Sequence, residues 1–194
     1  MLFNQLQAIL SAGSVLNQNG MVIWLMGLSG AGKTTIAELL QEKLADEGFF
    51  SIVLDGDMMR ETISKDLGFT SEDRLENVRR VAEIAQMLAQ NNVITICSLI
   101  TPQPAHQQIV RDTVKAAYFE IFVDCPVEIC EKRDVKGLYK LARQNKIKSF
   151  TGVSAPFIAP PNAHLVLNTS KEHPEESMTR LYNQVIPFIP GNDL

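Results

Sequence analysis

Eight consecutive residues, Gly27-Leu28-Ser29-Gly30-Ala31-Gly32-Lys33-Thr34, carry the clearest chemistry in the sequence. They fit G-x-x-x-x-G-K-[ST], a loop whose glycines let successive backbone N–H groups turn inward around a phosphate. Lys33 is placed to reach the β- and γ-oxygens of a nucleoside triphosphate, and the Thr34 hydroxyl to ligate Mg²⁺. A helix starting directly after the loop aims its positive end at the same anion. The motif implies triphosphate binding without naming the reaction.

Further along, Asp55-Gly56-Asp57 closes a short apolar run. Ligands of open α/β sheets bind beyond the carboxyl ends of the strands. One carboxylate there could orient an acceptor hydroxyl or take its proton, and the other could hold Mg²⁺ through water. By spacing alone the same residues also make an ordinary Asp-Gly turn. Arg60, Arg74, Arg79 and Arg80 follow. Their planar guanidinium forks suit an anionic acceptor, although surface ion pairs account for them equally well.

The elements that must position these residues alternate. Val22–Met26 is an unbroken apolar run, as expected for a strand buried on both faces of a parallel sheet. Helical spacing takes over at Thr34 and ends near Gly48. Ile52–Leu54, Val93–Ile96, Phe119–Val123 and Leu165–Leu167 read as further strands. Asn77–Ala89 and Met178–Val185 read as helices. Strands alternating with helices predict a three-layer α/β fold with a mainly parallel five-stranded sheet. No repeat or linker interrupts the 194 residues, so a single domain is expected, with residues 1–20 as an N-terminal packing arm. Residues 134–162 differ: a basic stretch is followed by Gly152, Pro156, Pro160 and Pro161, the composition of a lid over a phosphate site. A solvated surface helix and loop is the plainer alternative.

Apolar residues make up 45% and charged residues 21%, which excludes wholesale disorder, and a net charge of −4 argues against a nucleic-acid partner. No apolar run approaches the roughly 20 residues that span a bilayer, so no membrane partner is expected. No Lys or Arg precedes Lys33, so the basic flank of an export signal is missing and a cytoplasmic protein is expected. Cys97, Cys125 and Cys130 then read as reduced, partly buried thiols rather than a zinc or disulfide framework.

Gly27–Thr35, Leu54–Arg60, Asp66–Phe69, Glu72–Arg80, Phe122–Pro126, Arg133–Arg143 and Phe150–Gly152 together resemble, in order and spacing, the adenylyl-sulfate kinases, a family of P-loop kinases. The resemblance runs from about Val22 to about Leu167 and implies the P-loop NTPase fold. It also implies transfer of the γ-phosphoryl group of MgATP to the ribose 3′-hydroxyl of adenylyl sulfate (APS), giving 3′-phosphoadenylyl sulfate (PAPS) and ADP. Carried over by position, Gly27–Thr35 and Arg133 bind ATP, with Arg133 against the donor adenine. Asp55, Asp57 and Lys33 are catalytic, and Asp57 reaches the metal through water. Arg60 and Arg74 hold the phosphosulfate with Asn77 nearby, and Phe69 and Phe150 sandwich the acceptor adenine. Ile100 and Thr101 border the acceptor and Lys136 closes over it, with Lys140 and Arg143 as weaker phosphate contacts. The resemblance further implies a homodimer and functional coupling to an ATP sulfurylase.

The match is incomplete. Relatives usually read Ser-Pro-Tyr-Arg after the third strand, with another arginine three residues on. This chain reads Thr101-Pro102-Gln103-Pro104, then Gln107, and Met58 replaces a usual asparagine. Thr101 has no base beside it in the sequence and is not expected to carry a phosphoryl group. Two other readings are weighed. A kinase for a sugar or another nucleotide is opposed by the phenylalanine pair. The other is a non-catalytic nucleotide switch or regulatory binding module; a GTPase switch would carry Asn-Lys-x-Asp to read guanine, and Asn145-Lys146-Ile147-Lys148 ends in lysine.

Overall fold

The computed structural model describes residues 17–190. Its strands are β1 (Met21–Met26), β2 (Ser51–Asp55), β3 (Ile94–Leu99), β4 (Ala117–Asp124) and β5 (Leu165–Asn168). Its helices are α1 (Lys33–Asp46), α2 (Gly56–Glu61), α3 (Ser71–Ala89), α4 (Pro104–Thr113), α5 (Val127–Arg133), α6 (Leu138–Arg143) and α7 (Pro174–Val185). The strands form one parallel sheet in the order β2-β3-β1-β4-β5.

Alternation along β1 explains its unbroken apolar run. Met21, Ile23 and Leu25 pack into a core shared with Ile36, Leu40 and Leu44 of α1 and Leu181 and Val185 of α7. Val22, Trp24 and Met26 pack on the other face with Val78, Val81 and Ala85 of α3 and Val110 of α4. Helices thus cover both faces, as the expected three-layer α/β fold requires. Cys97, Cys125 and Cys130 are free and buried within these cores.

Two elements begin earlier than hydrophobic spacing indicates. Helix α3 starts at Ser71 rather than Asn77, because the Thr70 side chain accepts from the Asp73 N–H at 3.1 Å and caps a polar first turn. Helix α7 starts at Pro174 rather than Met178, behind a capping box of His173 and Glu176. The third strand runs three residues past Ile96, through the buried Ser98 to Leu99.

The basic segment 134–162 is largely exposed and is pinned by a few buried side chains. Tyr139 of α6 is buried, donates from its hydroxyl to the Ser29 carbonyl at 2.9 Å, and meets Phe150 edge-on at 4.9 Å. Of the expected N-terminal arm, residues 1–16 lie outside the described residues. Gln18 is buried and bonds Phe50 and Asn92. No helix among the described residues is long and apolar enough to cross a membrane.

Candidate active site

The loop from Gly27 to Gly32 joins the carboxyl end of the central strand β1 to α1. Its close packing is what demands glycine. A Cβ on Gly27 would stand 2.4 Å from the Val123 carbonyl, and one on Gly30 would stand 2.9 Å from the Cys130 carbonyl, with φ at +155° and +75° respectively. Gly32, in left-handed conformation, leads into α1 with no side-chain cap on the first turn. Those N–H groups are left for an anion. Lys33 is buried and its Nζ donates to the Leu28 carbonyl at 2.7 Å. Burial pushes its pKa down to about 8, partly countered by Asp55 and Asp57.

Around this loop opens a cleft of about 1450 Å³. Of the residues singled out from sequence, Ser29, Gly30, Gly32, Lys33, Thr34 and Thr35 line it from the donor side. Asp55, Asp57, Arg60, Phe69, Arg74, Asn77, Ile100, Thr101, Arg133, Lys136 and Phe150 line the rest. Gly27, Leu28 and Ala31 support the loop from behind. Lys140 and Arg143 do not face the cleft, and Arg143 pairs with Glu131 at 2.8 Å. Arg79 and Arg80 are also spent elsewhere, on Glu76 and on Asp66 with Glu76.

The two aspartates do different things. Asp55 accepts from the Thr34 hydroxyl at 2.8 Å through one oxygen and from the Asp57 N–H at 2.9 Å through the other, so it also caps α2. Asp57 is exposed and forms an ion pair with Lys136 of the lid. The carboxylate standing against Thr34 is therefore Asp55, and the one holding the lid is Asp57. Ser98, at the end of β3, puts its hydroxyl 3.3 Å from that of Thr34. Sequence reading missed Ser98, because a lone buried serine carries no signal until the strand register is known.

On the acceptor side, Phe69 is 60% exposed and its ring is flanked by the guanidiniums of Arg60 at 4.6 Å and Arg74 at 5.9 Å. Phe150 is only 7% exposed, held by Tyr139, yet borders the cleft. Arg74 donates to the Phe69 carbonyl, the Thr151 hydroxyl and the Ser149 carbonyl at 3.1, 3.1 and 2.8 Å. Asn77 is buried beside the cleft with its Oδ1 unpartnered. A buried carbonyl of that kind is costly unless a ligand donates to it. Arg133 donates to the Gly30 and Thr169 carbonyls at 3.2 and 2.6 Å, so its guanidinium braces the phosphate loop from the donor side.

The departures after β3 are knitted into the wall. Thr101 is buried at φ +47°, and its hydroxyl accepts from the Trp24 indole at 2.9 Å. The Ile158 N–H donates to the Pro102 carbonyl and the Gln107 amide donates to the Ile158 carbonyl, both at 2.8 Å. Gln107 thus ties the end of segment 134–162 to the wall behind Ile100 and Thr101. Met58 lies exposed on α2, away from the cleft lining.

Comparison with known proteins agrees with this geometry. Residues 19–168 match the family model described as adenylylsulphate kinase. The chain is 46% identical to an adenylyl-sulfate kinase of Halothermothrix orenii, covering 85% of this chain and 89% of the relative. It is 44% identical to one of Bacteroides thetaiotaomicron, covering 90% and 88%. Among solved structures it is similar to the Mycobacterium tuberculosis APS kinase in complex with AMPPNP and APS. That match has a TM-score of 0.84, 36% identity, and coverage of 87% of this chain and 98% of that one. With its phosphate loop, paired aspartates and basic lid around one cleft, the chain belongs to the adenylylsulphate kinase family.

Proposed function

We propose that the protein transfers the γ-phosphoryl group of MgATP to the ribose 3′-hydroxyl of adenylyl sulfate, giving 3′-phosphoadenylyl sulfate and ADP. The observation that carries this is the joining of Asp55 to Thr34 at 2.8 Å, which sets a carboxylate at the edge of the phosphate loop. The acceptor hydroxyl gives its proton to Asp55 as its oxygen bonds to the γ-phosphorus, while the bond to the bridging oxygen of ADP breaks. Lys33 and the loop N–H groups stabilise charge on the leaving diphosphate. Arg60, Phe69, Arg74, Asn77 and Phe150 hold the acceptor, and Lys136 closes the lid through Asp57.

Thr34, Ser98 and Asp55 offer hard oxygen donors within one small volume, which suits Mg²⁺ carried in on the triphosphate. Thr34 would ligate it, with Asp55 or Asp57 acting through water, and the ion would neutralise charge on the β- and γ-oxygens. The described residues, built on one sheet, read as a single kinase domain. The family relationship supports a cytoplasmic homodimer that takes its acceptor from an ATP sulfurylase.

The test is ADP release from MgATP across an acceptor panel that includes adenylyl sulfate, adenosine 5′-phosphate, gluconate and shikimate. Release that depends on adenylyl sulfate, with the product phosphorylated at the 3′ position, supports the proposal. Turnover only with another acceptor refutes it.

A further inference from the structure

Three strands present one face to α1, and along each the apolar file stops at the rim of the cleft. Side chains alternate along a strand, so every second residue belongs to this face. On β1 the file is Met21, Ile23 and Leu25, followed by the glycine loop. On β2 it is Val53 and then Asp55, and on β3 it is Ile94, Ile96 and then Ser98. The register sets Ser98 beside Asp55 on one side and Leu25 on the other. Its hydroxyl therefore meets the first turn of α1, where Thr34 stands.

Ser98 is 3% exposed and borders the cleft. Among the described residues its hydroxyl has one hydrogen-bond partner, the Thr34 hydroxyl at 3.3 Å. A hydroxyl that ends an isoleucine file is costly to bury unless it is bonded, so its partner matters. Thr34 has one proton and two lone pairs to offer. The proton goes to the Asp55 carboxylate at 2.8 Å. Ser98 is then the donor in the 3.3 Å contact, and it fills one lone pair of the Thr34 oxygen. A single lone pair is left over, and the hydroxyl no longer turns freely.

We propose that Ser98 is a positioning residue for the metal site. With Asp55 holding the proton of Thr34 and Ser98 occupying one of its lone pairs, the remaining pair is the one free to ligate Mg²⁺. Ser98 touches neither nucleotide nor acceptor in this role; it acts through Thr34. At 3.3 Å the contact is longer than an ordinary bond between hydroxyls, so its effect is modest. The inference rests on the MgATP donor proposed above and is independent of the acceptor.

The experiment uses the full chain without acceptor. Calorimetry measures the Kd of a non-hydrolysable ATP analogue, first with EDTA and then with excess Mg²⁺. Mg²⁺ tightens binding to the wild-type chain. In Ser98→Ala that tightening shrinks about fivefold, while the metal-free Kd stays within about twofold. Ser98→Cys keeps nearly the same volume but donates weakly, so it behaves as the alanine variant does. Should the alanine variant not fold, the cysteine variant decides by the same two constants. Undiminished tightening in Ser98→Ala, or an equal loss of affinity with and without Mg²⁺, overturns the inference. So does a cysteine variant that matches wild type, because the lost volume and not the lost proton would then be the cause. A wild-type chain whose affinity ignores Mg²⁺ removes the metal role of Thr34 and this inference together, and leaves the acceptor to be decided by ADP release.

Discussion

The Thr34 hydroxyl donates to Asp55 at 2.8 Å, so the start of α1 behind the glycine loop and the carboxyl end of β2 meet through one hydrogen bond. They lie at or just beyond the carboxyl ends of β1 and β2, which flank β3 in one parallel sheet, where the fold itself opens a crevice. On the proposed function, this arrangement places proton acceptance and phosphate binding on rigid elements, with further charge supplied by segment 134–162.

Replacing Asp55 separates these duties. Asp55→Ala removes the proposed base and the Thr34 partner while leaving the glycine loop in place. The expected result is a kcat lower by about 10²- to 10⁴-fold with a KM for ATP changed far less. Steady-state ADP release in the presence of adenylyl sulfate checks it, and undiminished kcat removes Asp55 from the mechanism.

Lys33 gives the site a pH dependence. An exposed lysine titrates near 10.5, but burial brings this one to about 8. The free enzyme therefore loses the ammonium charge as pH rises through about 8, and kcat/KM for ATP falls there. The kcat value falls less, because bound phosphates favour the charged lysine. Lys33→Arg, which stays charged, abolishes the fall at that pH. The stability effect has the opposite sign. Burying the charged form costs stability below about pH 8, and that cost fades between about 8 and 10.5 as the folded lysine deprotonates ahead of the unfolded one.

The ion pair of Lys136 with Asp57 fastens the lid across the cleft. Lys136→Met leaves the lid held through Tyr139 and Arg74 but frees its tip. Both groups of the pair are well exposed, so folding stability should change little. The expected outcome is faster cleavage by trypsin within residues 140–148, slowed again by adenylyl sulfate with MgADP, and a lower kcat/KM for adenylyl sulfate. Unchanged proteolysis and kinetics together would show that this pair does not govern the lid.

Most of the residues singled out from sequence line one cleft, because the motifs that carry them are local. The glycine loop needs only its own spacing, whereas Asp55 and Asp57 stand out from an ordinary Asp-Gly turn only through the family resemblance. What stayed hidden depends on register and capping. Ser98 reaches Thr34 only because β3 continues past its apolar run, and α3 begins at Ser71 on the strength of a Thr70 cap that apolar periodicity does not report. The division of labour between Asp55 and Asp57, and the use of Arg74 as a staple, are set by contacts between residues 21 to 79 positions apart. Gln107 illustrates the same limit: its identity marks a departure from relatives, and only the fold shows that it holds Ile158.

Glu120 is almost wholly buried on β4 and is held by Arg111 through two bonds of 2.7 and 2.8 Å, with Tyr118 as a further donor. Arg111→Ala strands that carboxylate and should destabilise the fold by roughly 3 kcal/mol. Urea denaturation followed by far-UV circular dichroism measures it, and a change below about 1 kcal/mol would place Glu120 in better solvation than its burial indicates.

The most direct test of the proposed chemistry is a crystal structure of this protein with a non-hydrolysable ATP analogue, Mg²⁺ and adenylyl sulfate bound together. Phosphoryl transfer aided by Asp55 requires the ribose 3′-oxygen within about 3 Å of an Asp55 carboxylate oxygen and in line with the γ-phosphate. A 3′-oxygen held away from Asp55, or directed away from the γ-phosphate, would contradict it.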